Sequence, residues 1–239
     1  MKRTITIILV AILVVSSALL FVACNVSGGV KTQEDWNSAM DFLKNCDTVT
    51  INVEKDEYTN LHIKQYLTTW TVTYDGVKGE LYSYRVVENY NVSIFDQRKH
   101  SQTYAIVDGS DLKTYTKDTV DSAYKNWDAK LTSCADSDAA ALKLKELFYS
   151  YLAELDLDNL TFTEYKLKFN KFEKTETVGQ TKTTWQVTFS DGKLSEIHID
   201  GKPQKGSQSI DNAKITITVT YSAEITPPNG LPAETNVQY

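Results

Sequence analysis

The sequence predicts an α+β domain that is mainly antiparallel β: one strongly curved sheet, a half-barrel, with helices packed on its concave face. Three observations carry this. Segments dense in Thr, Tyr, Val and Ile recur in two blocks and are punctuated by Asp-Gly pairs at 75–76, 108–109 and 191–192, which are hairpin signals. Two other stretches carry their apolar residues at helical spacing, one before the first β block and one between the blocks. Residues 32–225 show no composition break that would mark a boundary, and a chain of this size can form one core.

The first element is not part of that domain. Lys2 and Arg3 precede an apolar run from Ile5 to Ala23 that only Thr6, Ser16 and Ser17 interrupt. A charged start, an apolar middle and a small residue before a cut describe a signal peptide over residues 1–23. A run of this length can also just span a ~30 Å hydrocarbon core, and the cysteine that ends it decides between the two. Phe21-Val22-Ala23-Cys24 resembles the bacterial lipobox, in which cleavage leaves a diacylglycerol-modified cysteine at the new N-terminus. Phe21 departs from the Leu usual there, whereas Ala23 fits. The resemblance implies lipid attachment, palmitate included, at Cys24 and a protein held on the extracytoplasmic face of a bacterial cell membrane. Two or more acyl chains anchor stably where one does not. Residues 24–31, with the Gly28-Gly29 pair, are expected to be a flexible tether.

A short helix follows in "TQEDWNSAMDFLKNC". Thr32 is its N-cap with Asp35 three residues on, and Trp36, Ala39, Met40 and Leu43 share one face. The first β block runs through "TVTINVE", "LHIKQYLTTWTVTYDG", "GELYSYRVVENYNVSIFD", "SQTYAIVDGS" and "DLKTYTK". Then the texture breaks. Residues of about 119–155 are expected to form a helical insertion, with Ala141, Leu144, Leu147, Phe148, Tyr151, Leu152 and Leu155 as its apolar stripe and Asp136 or Ser137 as cap. The second β block alternates: Ala213, Ile215, Ile217, Val219 and Tyr221 point one way and Lys214, Thr216, Thr218 and Thr220 the other. The same pattern places Tyr165, Leu167 and Phe169 on one face, and Trp185, Val187 and Phe189 likewise. Residues 226–239, with three of the chain's four prolines, read as an extended tail.

The stretch "EDWNSAMDFLKNCDTVTINV", the helical insertion, the "TTWQVTFSDGKLSEIHI" hairpin and the final alternating strand resemble, in order and texture, the bacterial LolA/LolB-like lipoprotein-carrier proteins. In that family a half-open β-barrel with a helical lid encloses an apolar cavity that holds acyl chains. No diagnostic motif of the family is present, so none of its functional residues is carried over. The resemblance implies a lipid-like ligand.

Chemistry is sparse. His62, His100 and His198 lie apart in sequence, and two of them sit beside Ile63 and Ile199 as strand residues do. Ser190 and Ser195 have no GxSxG frame. Glu154, Asp156 and Asp158 superficially resemble a calcium loop but lack its glycine and terminal Glu. No catalytic residue, metal site or cofactor is expected. Cys46 and Cys134 have no zinc spacing, and a disulfide between them is left open. The formal net charge of -6 argues against nucleic acid as a partner. Aromatic residues on the inward faces are the one candidate ligand-binding feature: Tyr165, Phe169, Trp185, Phe189 and Tyr221. Two states are compatible with them, a pocket for an apolar ligand and a packed core whose outer surface meets a protein partner.

Overall fold

The computed structural model describes residues 28–59, 62–90, 97–120, 126–157, 160–178, 181–201 and 212–232. Eleven strands form one antiparallel sheet: β1 Thr48–Tyr58, β2 Lys64–Asp75, β3 Glu80–Asn89, β4 Gln97–Asp108, β5 Asp111–Val120, β6 Asp128–Ser133, β7 Lys166–Lys168, β8 Lys171–Val178, β9 Thr181–Ser190, β10 Lys193–Gly201 and β11 Asn212–Thr220. Two helices accompany them, α1 Gln33–Asn45 before the sheet and α2 Ser137–Glu154 between β6 and β7. The strand order is β6-β5-β4-β3-β2-β1-β11-β10-β9-β8-β7, and among the described residues β6 and β7 are open edges. The sheet is thus not closed. The first and last strands lie side by side at its centre, with Ile51 opposite both Val72 and Val219, so the two β blocks are one body. No described helix is long and apolar enough to cross a membrane.

Register explains which face is core. Residues directly opposite in adjacent antiparallel strands project to the same side. The row Phe172, Val187, Ile197, Ile217, Val53 and Trp70 crosses six strands and is apolar throughout. One residue along, Thr218, Asn52 and Thr71 form a polar row facing away. The apolar row joins both helices in one cluster of buried side chains.

Each helix is set by local chemistry. The Asp35 amide donates to Thr32 Oγ1 at 3.1 Å while the Thr32 amide donates to Asp35 Oδ2 at 2.9 Å, a complete capping box. Asp136 is the cap of α2, accepting from the Ala139 amide at 2.8 Å. Ala140, Leu144, Phe148 and Leu152 of α2 are buried, whereas Ala141 is exposed, so the buried stripe starts one residue earlier than periodicity suggested. Phe148 stacks on Tyr74 at 4.7 Å, and Tyr151 meets Trp70 edge-on at 5.6 Å.

Two expectations are corrected, and the start of the tail is placed. The insertion of about 119–155 is not helical throughout, because Asp128–Ser133 pairs with Asp111–Thr116 as the edge strand β6. Residues 28–31 are docked on the domain and are not a free tether: the Gly192 amide donates to the Gly28 carbonyl at 2.6 Å, Val30 is fully buried and the Lys31 amide donates to Asp35 Oδ2 at 2.9 Å. The tail begins as a strap on the face away from the helices. Thr50 donates to the Ser222 carbonyl at 2.8 Å, and Trp127 Nε1 donates to the Asn229 carbonyl at 3.3 Å. Ile225 and Leu231 there cover a second cluster built on Tyr104, Tyr115 and Trp127. Cys24, Asp158 and residues 233–239 lie outside the described residues.

Candidate functional site

The five residues singled out as ligand-binding do not form one lining. Tyr165 and Phe189 are buried against Trp36, with ring centroids 5.2 and 5.0 Å away, and Phe162 and Phe172 complete the shell around the same indole. Trp36 Nε1 donates to the Leu160 carbonyl at 3.2 Å, so the polar edge of the ring is satisfied inside the core. Tyr221 is half-buried and packs edge-on against Phe42 at 5.0 Å, with Lys193 Nζ over both rings. Trp185 is half-buried at the rim of the cluster beneath Lys174 Nζ, 5.1 Å from its ring.

Phe169 is a correction. It is 91% exposed, at the tip of the hairpin joining β7 to β8, and Leu167 is half exposed. Alternation had carried the inward face through Tyr165 to Phe169. A 3₁₀ turn at Phe162–Glu164 and a strand of only three residues, all exposed, end that pattern after Tyr165.

Cys46 and Cys134 are not bonded. The Cys46 thiol closes the end of α1, donating to the Leu43 carbonyl at 3.2 Å, while the Cys134 thiol faces the Thr132 carbonyl at 3.7 Å. Burial pushes the Cys46 thiol up to about 11 and the Tyr165 phenol up to about 12. Both groups keep their protons more tightly folded than unfolded, where they titrate near 9 and 10. The stability they confer is therefore complete below pH 9 and is lost as pH rises through 11 to 12. Thermal melts are expected to be level from pH 7 to 9 and to drop above it, and Cys46→Ala to delay the onset of that drop. An onset unchanged in Cys46→Ala would reject the thiol as its source.

Between α2 and the sheet, Arg85 of β3 pairs with Glu154 at 2.8 Å and lies over the Trp70 ring at 5.2 Å, while Trp70 Nε1 donates to Ser83 Oγ at 2.8 Å. The Arg85–Glu154 pair is a clasp holding the end of α2, although Arg85 Nε is buried without a hydrogen-bond partner. His100 pairs with the Tyr84 hydroxyl at 2.8 Å.

The polar face of β8–β11 holds a groove of about 650 Å³ lined by Lys171, Lys182, Thr184, Gln186, His198 and Lys214 among others. Register builds it: Lys214, Asp200 and Thr184 are opposite one another, as are Thr216, His198 and Gln186. Lys171, Lys182 and Lys214 have no ion-pair partner among the described residues. Lys55, Lys64, Lys113, Lys143, Lys168 and Lys174 are all paired. Glu196 Oε1, 2.9 Å from His198 Nε2, and Thr216 Oγ1, 3.1 Å from His198 Nδ1, place a carboxylate, an imidazole and a hydroxyl in line. Thr216 lies between β1 and β10 with the surrounding backbone engaged in the two ladders, so its hydroxyl has no free pair of backbone amides beside it. The groove is suited to holding an anionic, hydrogen-bonding ligand.

Sequence reasoning missed this groove, since its residues are polar positions of separate strands and only register gathers them. A comparison with known proteins finds no matching family model and no curated protein of significant similarity.

Proposed function

We propose that the chain is a membrane-anchored extracytoplasmic lipoprotein without enzymatic activity, a half-barrel whose concave, helix-covered side is core and whose opposite face binds an anionic component of the cell envelope. The observation that supports this most is the placement of the aromatic residues. Tyr165 and Phe189 are spent on packing around Trp36, while three lysines with no ion-pair partner among the described residues, a histidine, Asp200 and amide and hydroxyl groups line the groove on β8–β11. Three lysines with no ion-pair partner among the described residues outnumber the one carboxylate of the groove, Asp200, and so favour an anionic partner on that face.

The test is photo-crosslinking in cells from position 184 in the groove. A discrete adduct is expected, and it should vanish when Lys171, Lys182 and Lys214 are all changed to Glu, with the melting temperature unchanged. The same adduct from the triple variant would sink the proposal.

A second function, carriage of a lipid-like ligand in a LolA-like cavity, is favoured by one feature. Trp185, Ile199 and Ile215 share a row on the helix face and remain half-buried. It predicts a co-purifying lipid in native mass spectrometry that Trp185→Ala loses. A ligand-free mass with no uptake of fluorescent fatty acid counts against it.

A further inference from the structure

We propose that the β7–β8 hairpin is a membrane-docking tip that inserts Leu167 and Phe169 into the interface of an anionic bilayer, and so fixes how the anchored body sits on that surface. The inference rests on the anchored function proposed above and adds a contact surface to it.

Phe169 is the first reason. Its backbone has φ +56°, in the left-handed region that glycine occupies freely and a bulky side chain does not. The ring is 91% exposed, so the fold gains no packing from it. A residue that strains its turn and buries nothing within the protein is explained by burial elsewhere.

The hairpin's chemistry names the surface. Lys166 and Lys168 flank Leu167, and Lys171 follows the turn; Lys168 is paired with Glu173, so two exposed apolar side chains emerge on a hairpin that also carries Lys166 and Lys171. Apolar residues flanked by lysines suit the boundary between headgroups and acyl chains, and the cations favour anionic lipid. The chain as a whole is acidic, with a formal net charge of -6, so attraction to an anionic surface has to come from local cationic sites.

Position is the third reason. Phe172 is opposite Val187, which brings the Phe169 turn level with Ser190 at the end of β9. The next turn, at Asp191 and Gly192, is the one that holds Gly28. The hairpin tip and the entry of the chain thus share one end of the sheet, separated by one or two strand spacings of about 4.8 Å. Only three residues, 25–27, lie between Cys24 and Gly28, a reach of at most about 14 Å over four Cα steps. A lipid on Cys24 would hold that end of the sheet against the membrane, and the nearest projecting apolar group is Phe169.

The full chain is expressed, purified in detergent and reconstituted into vesicles of phosphatidylcholine with one part in three phosphatidylglycerol. Phe169→Trp is compared with Ile63→Trp, an exposed position in the β1–β2 connection at the opposite end of the strands. Brominated lipid is expected to quench at least about half of the emission added at 169 and almost none of that at 63. Quenching should weaken in pure phosphatidylcholine. Phe169→Gly is expected to melt no lower than the parent, since the strain is relieved. Equal quenching at 169 and 63 overturns the docking tip, and so does a Phe169→Gly chain that no longer folds. The mass of the Cys24 peptide reports the anchor separately: an unmodified peptide removes the anchored function, while quenching still decides the tip.

Discussion

Trp36→Ala is expected to lower stability by about 3 to 5 kcal/mol, the range found when a large aromatic is deleted from a core. Trp36 is fully buried and touches Phe162, Tyr165, Phe172 and Phe189, which come from the segment after α2 and from β8 and β9. Removing the indole leaves a space that four aromatic rings, three of them already packed on one another, cannot close. It also strands the Leu160 carbonyl that Nε1 now satisfies. Trp36→Phe separates the two effects: most of the ring volume stays and the hydrogen bond goes, so a loss of about 1 to 2 kcal/mol is expected. Urea unfolding of the three chains checks this. If Trp36→Ala shifted the midpoint no more than Trp36→Phe, the shell would be loose enough to collapse, and the space around Trp36 would return as a candidate ligand cavity.

That hub shows what was legible in the sequence and what was not. The helix carrying Trp36 could be placed to the residue, because a capping box is local chemistry written over four positions. Its apolar face had to cover something, yet what it covers is contributed from more than a hundred residues away. β11 was equally legible, since one wet and one buried face impose strict alternation. β6 was hidden: as an edge strand it has no fully buried position, so "DAKLTS" shows no periodicity and the neighbouring helix pattern absorbed it. At Phe169 the alternation was sound up to Tyr165 and then ran on into a hairpin tip, where side-chain direction is set by the turn. Gly28 to Lys31 looked like a linker because small residues serve both flexible chain and close backbone contact. The groove on β8–β11 had no linear signal at all.

One consequence joins these features. The pairing of β1 with β11 at the centre of the sheet brings the start of the domain to the end where β9 turns into β10, and that turn then receives Gly28. The fold therefore dictates that the chain enters beside the hairpin tip. A body whose tether were long would be indifferent to that coincidence. One lipidated at Cys24, as proposed, with only three residues before Gly28, would be oriented by it.

Gly28→Ala should expose that dependence. Gly28 has φ +60°, and a β-carbon there would fall within the van der Waals envelope of the Phe189 carbonyl, which is backbone of β9 and cannot swing aside. The cheaper response is for residues 28–31 to leave their seat. Undocking gives up the bond from the Gly192 amide to the Gly28 carbonyl and re-exposes Val30, which sets a ceiling on the loss of about 2 to 4 kcal/mol. The helices and sheet should otherwise stay intact, so far-ultraviolet dichroism is expected to match the parent while the melting temperature falls. The free segment from Cys24 would then lengthen to about 25 Å, reaching Lys31 at the capping box. Quenching of a tryptophan at 169 by brominated lipid should fall in the double variant, although the chain remains membrane-bound. Retention of full quenching with residues 28–31 undocked, shown by protease cleavage between Gly29 and Val30, would mean that the hairpin seeks the bilayer by itself and that the short tether adds nothing.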